Sequence, residues 1–97
     1  MNLQKVKRWR CANYLRWIRT QRCCNCMNPE TVAHHIIGIG FGTTGDKADD
    51  FQAFPLCVGC HALIHANTRS FNQLLYLHRT KLKAIEECVV SLSWNGQ

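Results

Sequence analysis

Two Cys-x-x-Cys pairs, Cys23/Cys26 and Cys57/Cys60, are separated by residues 27–56. Such a pair sets two sulfurs along one edge of a tetrahedron, and two pairs complete a closed four-sulfur set. Zinc suits these soft ligands and needs no redox chemistry. The spacing therefore predicts a structural Zn²⁺ on Cys23, Cys26, Cys57 and Cys60. The competing reading is four buried thiols with coincidental spacing. Cys24 is an alternative ligand, although Cys24-x-Cys26 spans the tetrahedral edge less well. Cys11 and Cys88 fall on apolar helical faces and read as small core residues.

Four histidines form a second set. His61 and His65 stand four apart, so on a helix they share a face and can meet one metal ion. His34 and His35 are adjacent in a β-branched, apolar stretch. Neighbouring strand residues point to opposite sides, so the two cannot both ligate one ion without distortion. One can bind metal while the other does different work. An isolated His-x-x-x-His pair is usually structural or solvent-facing, but here it follows directly on the second cysteine pair.

The elements that must hold these groups can be read from pattern. Residues 3–20 lack Gly and Pro and predict a helix. On a wheel, Leu3, Val6, Cys11, Tyr14, Leu15, Trp17 and Ile18 fill one arc, with Lys5, Arg8, Arg16 and Arg19 opposite. Residues 21–30 predict a tight knuckle and residues 31–37 a strand. Residues 38–50 hold four of the six glycines and predict a loop. Residues 51–56 predict the returning strand, placed at an edge or strand end by Pro55. Residues 58–66 predict a short helix and residues 70–92 a last one, opened by a Ser70/Gln73 capping box. Phe71, Leu75, His78, Leu82, Ile85, Val89 and Leu92 recur at alternating four and three spacing, which makes a seam. That seam either packs on the domain's own core or forms a homodimer interface, and His78 within it is a core or seam histidine, not a ligand.

With 97 residues the chain suffices for one small domain, residues 1–97, whose core is marginal without a staple. No secretory pattern and no 18-residue apolar run is visible, so the expectation is a cytoplasmic protein with no membrane span and reduced thiols. The formal net charge is +6, and residues 1–22 carry seven of the twelve basic residues and no acid. A polyanion, and DNA first, is the natural partner. Lys5, Arg8, Arg16 and Arg19 are the candidate phosphate contacts.

Taken together, the Cys-x-x-Cys of RCCNC, the run AHHIIGIGFGTTGDKADD and the segment PLCVGCHALIH resemble the HNH, or ββα-metal, endonucleases. The nearer likeness is to the recombination-enhancing HNH nucleases of phages and prophages. It covers about residues 14–65, and its order, spacing and glycine loop agree together. The resemblance implies an α+β fold with a zinc-stapled ββα-metal core and long-looped hairpin (residues 23–66), between the basic helix and the C-terminal amphipathic helix. It implies a metal-dependent DNA endonuclease, in a bacterial host cell, with a recombination protein as a further partner left open. His35 matches the general base, and His34, His61 and His65 match the ligands of the catalytic metal. Cys23, Cys26, Cys57 and Cys60 match the structural zinc site, and Gly45, Lys47, Ala48 and Asp50 the loop signature. Cys60 stands where the nearer relatives have His, and Asp49 where they have another His. Gln52 takes roughly the slot of the Asn that usually orients the base.

The chemistry implied is hydrolysis of a phosphodiester. Neutral histidine, which titrates near pH 6.5 when unperturbed, can take a proton from water. An all-histidine set favours Mn²⁺, Ni²⁺, Co²⁺ or Zn²⁺ on ligand type, whereas Mg²⁺ prefers oxygen. Family members often use Mg²⁺, so the ion stays open. Two rivals need fewer residues: a non-catalytic zinc-binding DNA module, and a protein-interaction module presenting the C-terminal seam.

Overall fold

A computed structural model describes residues 9–37 and 48–90 of the chain. The order is α1 (Ala12–Ile18), β1 (Val32–His35), a 3₁₀ turn (Asp50–Gln52), β2 (Ala53–Leu56), α2 (Val58–Ala66), a second 3₁₀ turn (Thr68–Ser70) and α3 (Gln73–Glu86). This is a small α+β arrangement built on one two-stranded antiparallel sheet. Residues 38–47 of the predicted glycine loop, Gly45 and Lys47 among them, lie outside the described residues, as do Lys5, Arg8 and Leu92.

The hairpin pairs Val32 with Leu56, Ala33 with Pro55, His34 with Phe54 and His35 with Ala53. All four residues of β2 are buried because both faces of the ribbon are covered. Phe54 and Leu56 pack with Ile36, Ile64, Leu77 and the buried cysteines on one side. Ala53 packs with Tyr14, Ile18 and Ala84 on the other. Fully buried Phe54, Leu56, Ile64 and Ile18 each stabilise the fold by about 1.5–3 kcal/mol. Pro55 fits this strand because its carbonyl points away from β1 and accepts from Cys24 N–H at 3.0 Å. In an antiparallel pair a residue's N and C=O face the same way, so the missing proline N–H breaks no ladder bond.

The first helix is shorter than the predicted 3–20. Cys11 is extended, with φ −148° and ψ 101°. The Trp9 N–H donates to Asp49 Oδ1 (2.9 Å) and the Cys11 N–H to Asp50 Oδ2 (2.7 Å), while Asp50 N–H returns a bond to Trp9 O (2.9 Å). Two carboxylates take up donors that a helix would need. The helical register therefore breaks at Cys11.

The last helix also departs from its prediction. Ser70 lies in the 3₁₀ turn, and the cap is Asn72, whose side chain accepts from Leu75 N–H at 3.1 Å. Gln73, expected to close a capping box, turns inward: its amide donates to Ile37 O (2.7 Å) and its oxygen accepts from Ile37 N–H (3.0 Å). The buried stripe is Gln73, Leu77, Thr80 and Ala84, not the predicted seam. Leu75, His78 and Leu82 of that seam are exposed. Small Thr80 and Ala84 let α3 approach the knuckle and α1 closely, where the leucines of the seam would not fit.

Candidate functional site

The knuckle forms because Cys23–Cys26 wraps its own backbone around a sulfur. Asn25 N–H points at Cys23 Sγ (3.4 Å), Met27 N–H donates to Cys23 O (3.0 Å), and Met27 takes a left-handed φ of 66°. On the other side Cys57 caps α2, its sulfur accepting from Cys60 N–H at 3.4 Å. One sulfur from each of Cys23, Cys26, Cys57 and Cys60 lies within 4.8 Å of all the others, and Cys26 and Cys57 are 3.5 Å apart. Tetrahedral zinc with bonds of about 2.3 Å requires sulfurs about 3.8 Å apart. These four cysteines could hold a metal such as zinc. Burial pushes the Cys60 thiol up to about 12, with neighbouring sulfurs adding to the rise. Burial acts on Cys23 too, but surrounding backbone N–H groups outweigh it and bring that thiol down to about 7. Four such sulfurs side by side need a cation before they can ionise together. Asn25 Nδ2 donates to Cys60 Sγ (3.3 Å) and Tyr76 Oη donates to Asn25 Oδ1 (2.9 Å), an outer shell that ties α3 to the cluster.

The second cluster spans β1 and α2. One ring nitrogen from each of His34, His61 and His65 lies within 4.8 Å of the other two, and His61 Nε2 and His65 Nε2 are 3.3 Å apart. Imidazoles sharing one ion at bonds of about 2.1 Å are separated by about 3.0–3.4 Å. His34 is 2% exposed, and its Nε2 is buried with no hydrogen-bond partner. The His34 ring meets those of His61 and His65 edge-on, with centroids 4.9 and 5.4 Å apart, and an orphaned buried nitrogen on a ring so placed fits a cation-binding set. Burial first, then the facing His61 and His65, depress the His34 pKa to about 4.

That depression has a stability consequence. The unfolded chain takes up the His34 proton near 6.5, the folded chain only near 4. Stability from this residue is therefore full above pH 6.5 and declines as pH falls towards 4. With no metal added, the parent should lose on the order of 2 kcal/mol relative to His34→Gln between pH 7 and 5. Thermal unfolding of the pair across that range checks this, and parallel pH profiles would refute it.

His35 faces the other side of the ribbon. Its Nε2 lies 2.8 Å from Asp50 Oδ1. Asp50 is 4% exposed and also receives the Cys11 N–H at 2.7 Å and Arg10 at 3.4 Å. Burial opposes its ionisation, but the His35 bond, the Cys11 N–H and the Arg10 charge outweigh it and lower the carboxyl's pKa. Arg10 is further held by Ala48 O. Asp50 was legible only as part of a loop signature, and Arg10 only as one cation among many. Their pairing spans some 40 positions of sequence. Gln52, expected to orient His35, instead accepts from Lys81 Nζ (2.9 Å) through its side chain and from Ile36 N–H (2.8 Å) through its backbone. The orienting bond on His35 comes from Asp50. Arg16 and Arg19 are exposed, with Arg16 bonded to Asn13 (2.8 Å).

The profile of DUF968, described as a protein of unknown function, matches residues 1–88. The chain belongs to this family. It is also similar to the uncharacterized protein YdfU of Escherichia coli strain K12, with 42% identity over 71 residues, or 73% of this chain and 20% of that protein. The chain thus spans about one fifth of the curated relative's length. No solved structure gives a significant match. No helix among the described residues is long and apolar enough to cross a membrane. The stretch shared with the family takes in the cysteine cluster, the histidine cluster and Asp50.

Proposed function

We propose that this chain is a metal-dependent DNA endonuclease of the HNH, or ββα-metal, kind, with Cys23, Cys26, Cys57 and Cys60 holding a structural zinc. The observation that carries the reading is the opposite placement of two adjacent histidines. His34 joins His61 and His65 on one face of the hairpin, while His35 pairs with Asp50 on the other. The strand–strand–helix order of β1, β2 and α2 around the histidines supports it further.

The chain's own groups then divide as follows. An ionised Asp50 can only accept, so His35 carries its proton on Nε2. Nδ1 keeps its lone pair and takes the proton of an attacking water. Asp50 fixes this tautomer and stabilises the imidazolium that forms, in the manner of a histidine–carboxylate pair. His34, His61 and His65 would hold a divalent ion, which when bound supplies Lewis acidity for a phosphate oxygen and the leaving oxygen. Burial keeps His34 neutral and ready to ligate. Ligand type favours Mn²⁺, Ni²⁺, Co²⁺ or Zn²⁺ over Mg²⁺. The expected result is conversion of supercoiled DNA to nicked or linear forms with at least one of these ions, and none in chelator. Digestion of supercoiled, linear and single-stranded DNA across the ions tests it. No cleavage of any form with any ion would leave the non-catalytic zinc-binding DNA module as the better reading.

A further inference from the structure

A groove of about 350 Å³ opens between the end of α1, the cysteine knuckle and α3. It lies apart from the histidine cluster and is lined by Trp17, Arg22, Cys24, Pro55, Arg79 and Lys83, among others. Its volume is at the lower end of the range for small-molecule sites.

Three features of the lining point to one ligand chemistry. The first is charge. Arg79 and Lys83 stand four apart on α3 and so share a side of that helix, and Arg22 faces them from the knuckle. All three are exposed. Arg79 has no carboxylate partner among the described residues, and Lys83 has only Glu87, at 3.9 Å. Arg22 spends one nitrogen on Met27 O (3.1 Å) and keeps its other donors. The second is a flat apolar wall. The Trp17 indole stacks on Tyr14 with centroids 5.7 Å apart at 28°, and its Nε1 is fixed by Glu87 at 3.0 Å. Its orientation is therefore set in advance. The third is position. Pro55 pairs with Ala33, and His35 pairs with Ala53. These two pairs lie on the same face of the ribbon, two residues or about 7 Å apart along the strand.

We infer that this groove binds a nucleic-acid strand, with a phosphate on Arg22, Arg79 and Lys83 and a base against Trp17. Cations grip the backbone without regard to sequence, and an indole accepts any base by its face. An acidic protein segment would use the cations but leave the oriented indole unexplained. The site lies beyond the N-terminal cations that the sequence singles out, since α3 supplies two of its three charges. It rests on the proposed nuclease activity only for the choice of nucleic acid as ligand.

The test is fluorescence anisotropy of a labelled 12-nucleotide single strand with the full chain, without divalent metal, across a KCl series. R79E and K83E should each weaken binding about tenfold at low salt and reduce the salt slope by about 0.7 or more. R69E makes the same charge change on an exposed turn and should weaken binding less than threefold. Equal weakening by R69E would overturn the groove, leaving only diffuse charge attraction. So would a polyglutamate peptide that binds in an Arg79-dependent way while the oligonucleotide does not bind. The two readings fail separately. If R79E and K83E behave as expected but the parent never cleaves DNA with metal, the nuclease assignment fails and the groove stands. If the parent cleaves and R79E binds like the parent, the groove fails and the nuclease stands.

Discussion

Replacing His35 with Ala is expected to slow metal-dependent DNA cleavage by about 10²- to 10⁴-fold, the usual cost of losing a general base. Folding, zinc content and DNA affinity should scarcely change. The ring is partly exposed, with 13% side-chain accessibility, and lies outside both ligand clusters. Removing one neutral imidazole alters phosphate attraction little. Asp50→Asn should reproduce much of this loss, by about 10²-fold or more, through the wrong imidazole tautomer. In the parent, ¹⁵N chemical shifts of His35 should report Nε2–H, and in Asp50→Asn a mixture. A merely structural Asp50 would leave those shifts unmoved in a folded variant. His61→Ala should behave differently, with a weakened response to added metal that excess metal partly restores. Parental cleavage by purified His35→Ala would remove the base assignment.

Cys57→Ser should leave the chain unfolded at room temperature, as should a strong chelator. A structural zinc site in a small domain contributes on the order of 10 kcal/mol, comparable to the whole stability of an ordinary domain. Cys57 carries two tasks at once: it is one of the four clustered sulfurs, and it caps α2, which bears His61 and His65. Its loss would therefore disturb both clusters. Cys24→Ser is the matched control. That thiol sits beside Thr80 at 3.8 Å, outside the four-sulfur set, and the change should cost little. Metal analysis and circular dichroism read both variants. A metal-free protein with unchanged melting would refute the staple.

Much of this was legible because ligand chemistry is written in local spacing. A Cys-x-x-Cys pair brings two sulfurs together through its own backbone turn, whatever the rest of the chain does. His61 and His65 meet because a helix turns 3.6 residues per cycle, and the predicted helix over residues 58–66 has those bounds. The alternation of His34 and His35 follows from the strand pleat alone.

Other features depend on groups far apart in sequence, and local pattern carries no trace of them. The helix predicted from residue 3 breaks at Cys11 because Asp49 and Asp50 claim its backbone donors. A periodicity argument sees side chains but not competitors for an N–H. In α3 the more apolar stripe, with Leu75, Leu82 and Ile85, is not the one that is buried. The narrow space beside the knuckle selected Leu77, Thr80 and Ala84 and left Leu75 and Leu82 outside, a choice made by volume rather than hydrophobicity. Gln52 was expected beside the His35 ring, yet its amide bonds to Lys81, and the bond to His35 comes from the buried carboxylate of Asp50.

Residue types and spacing alone fix the chemistry on offer: four sulfurs in two pairs, four histidines split between a strand and a helix turn, and an excess of cations. Each follows from residue type and from the two backbone periods. The tertiary structure decided which of these groups face one another. It matched His35 to Asp50, set Gln73 against Ile37, and brought Arg79 and Lys83 round to Arg22 and Trp17. Such pairings follow from how the two faces of one short hairpin are covered, and that is set by packing volume and by which buried donors and acceptors can satisfy each other.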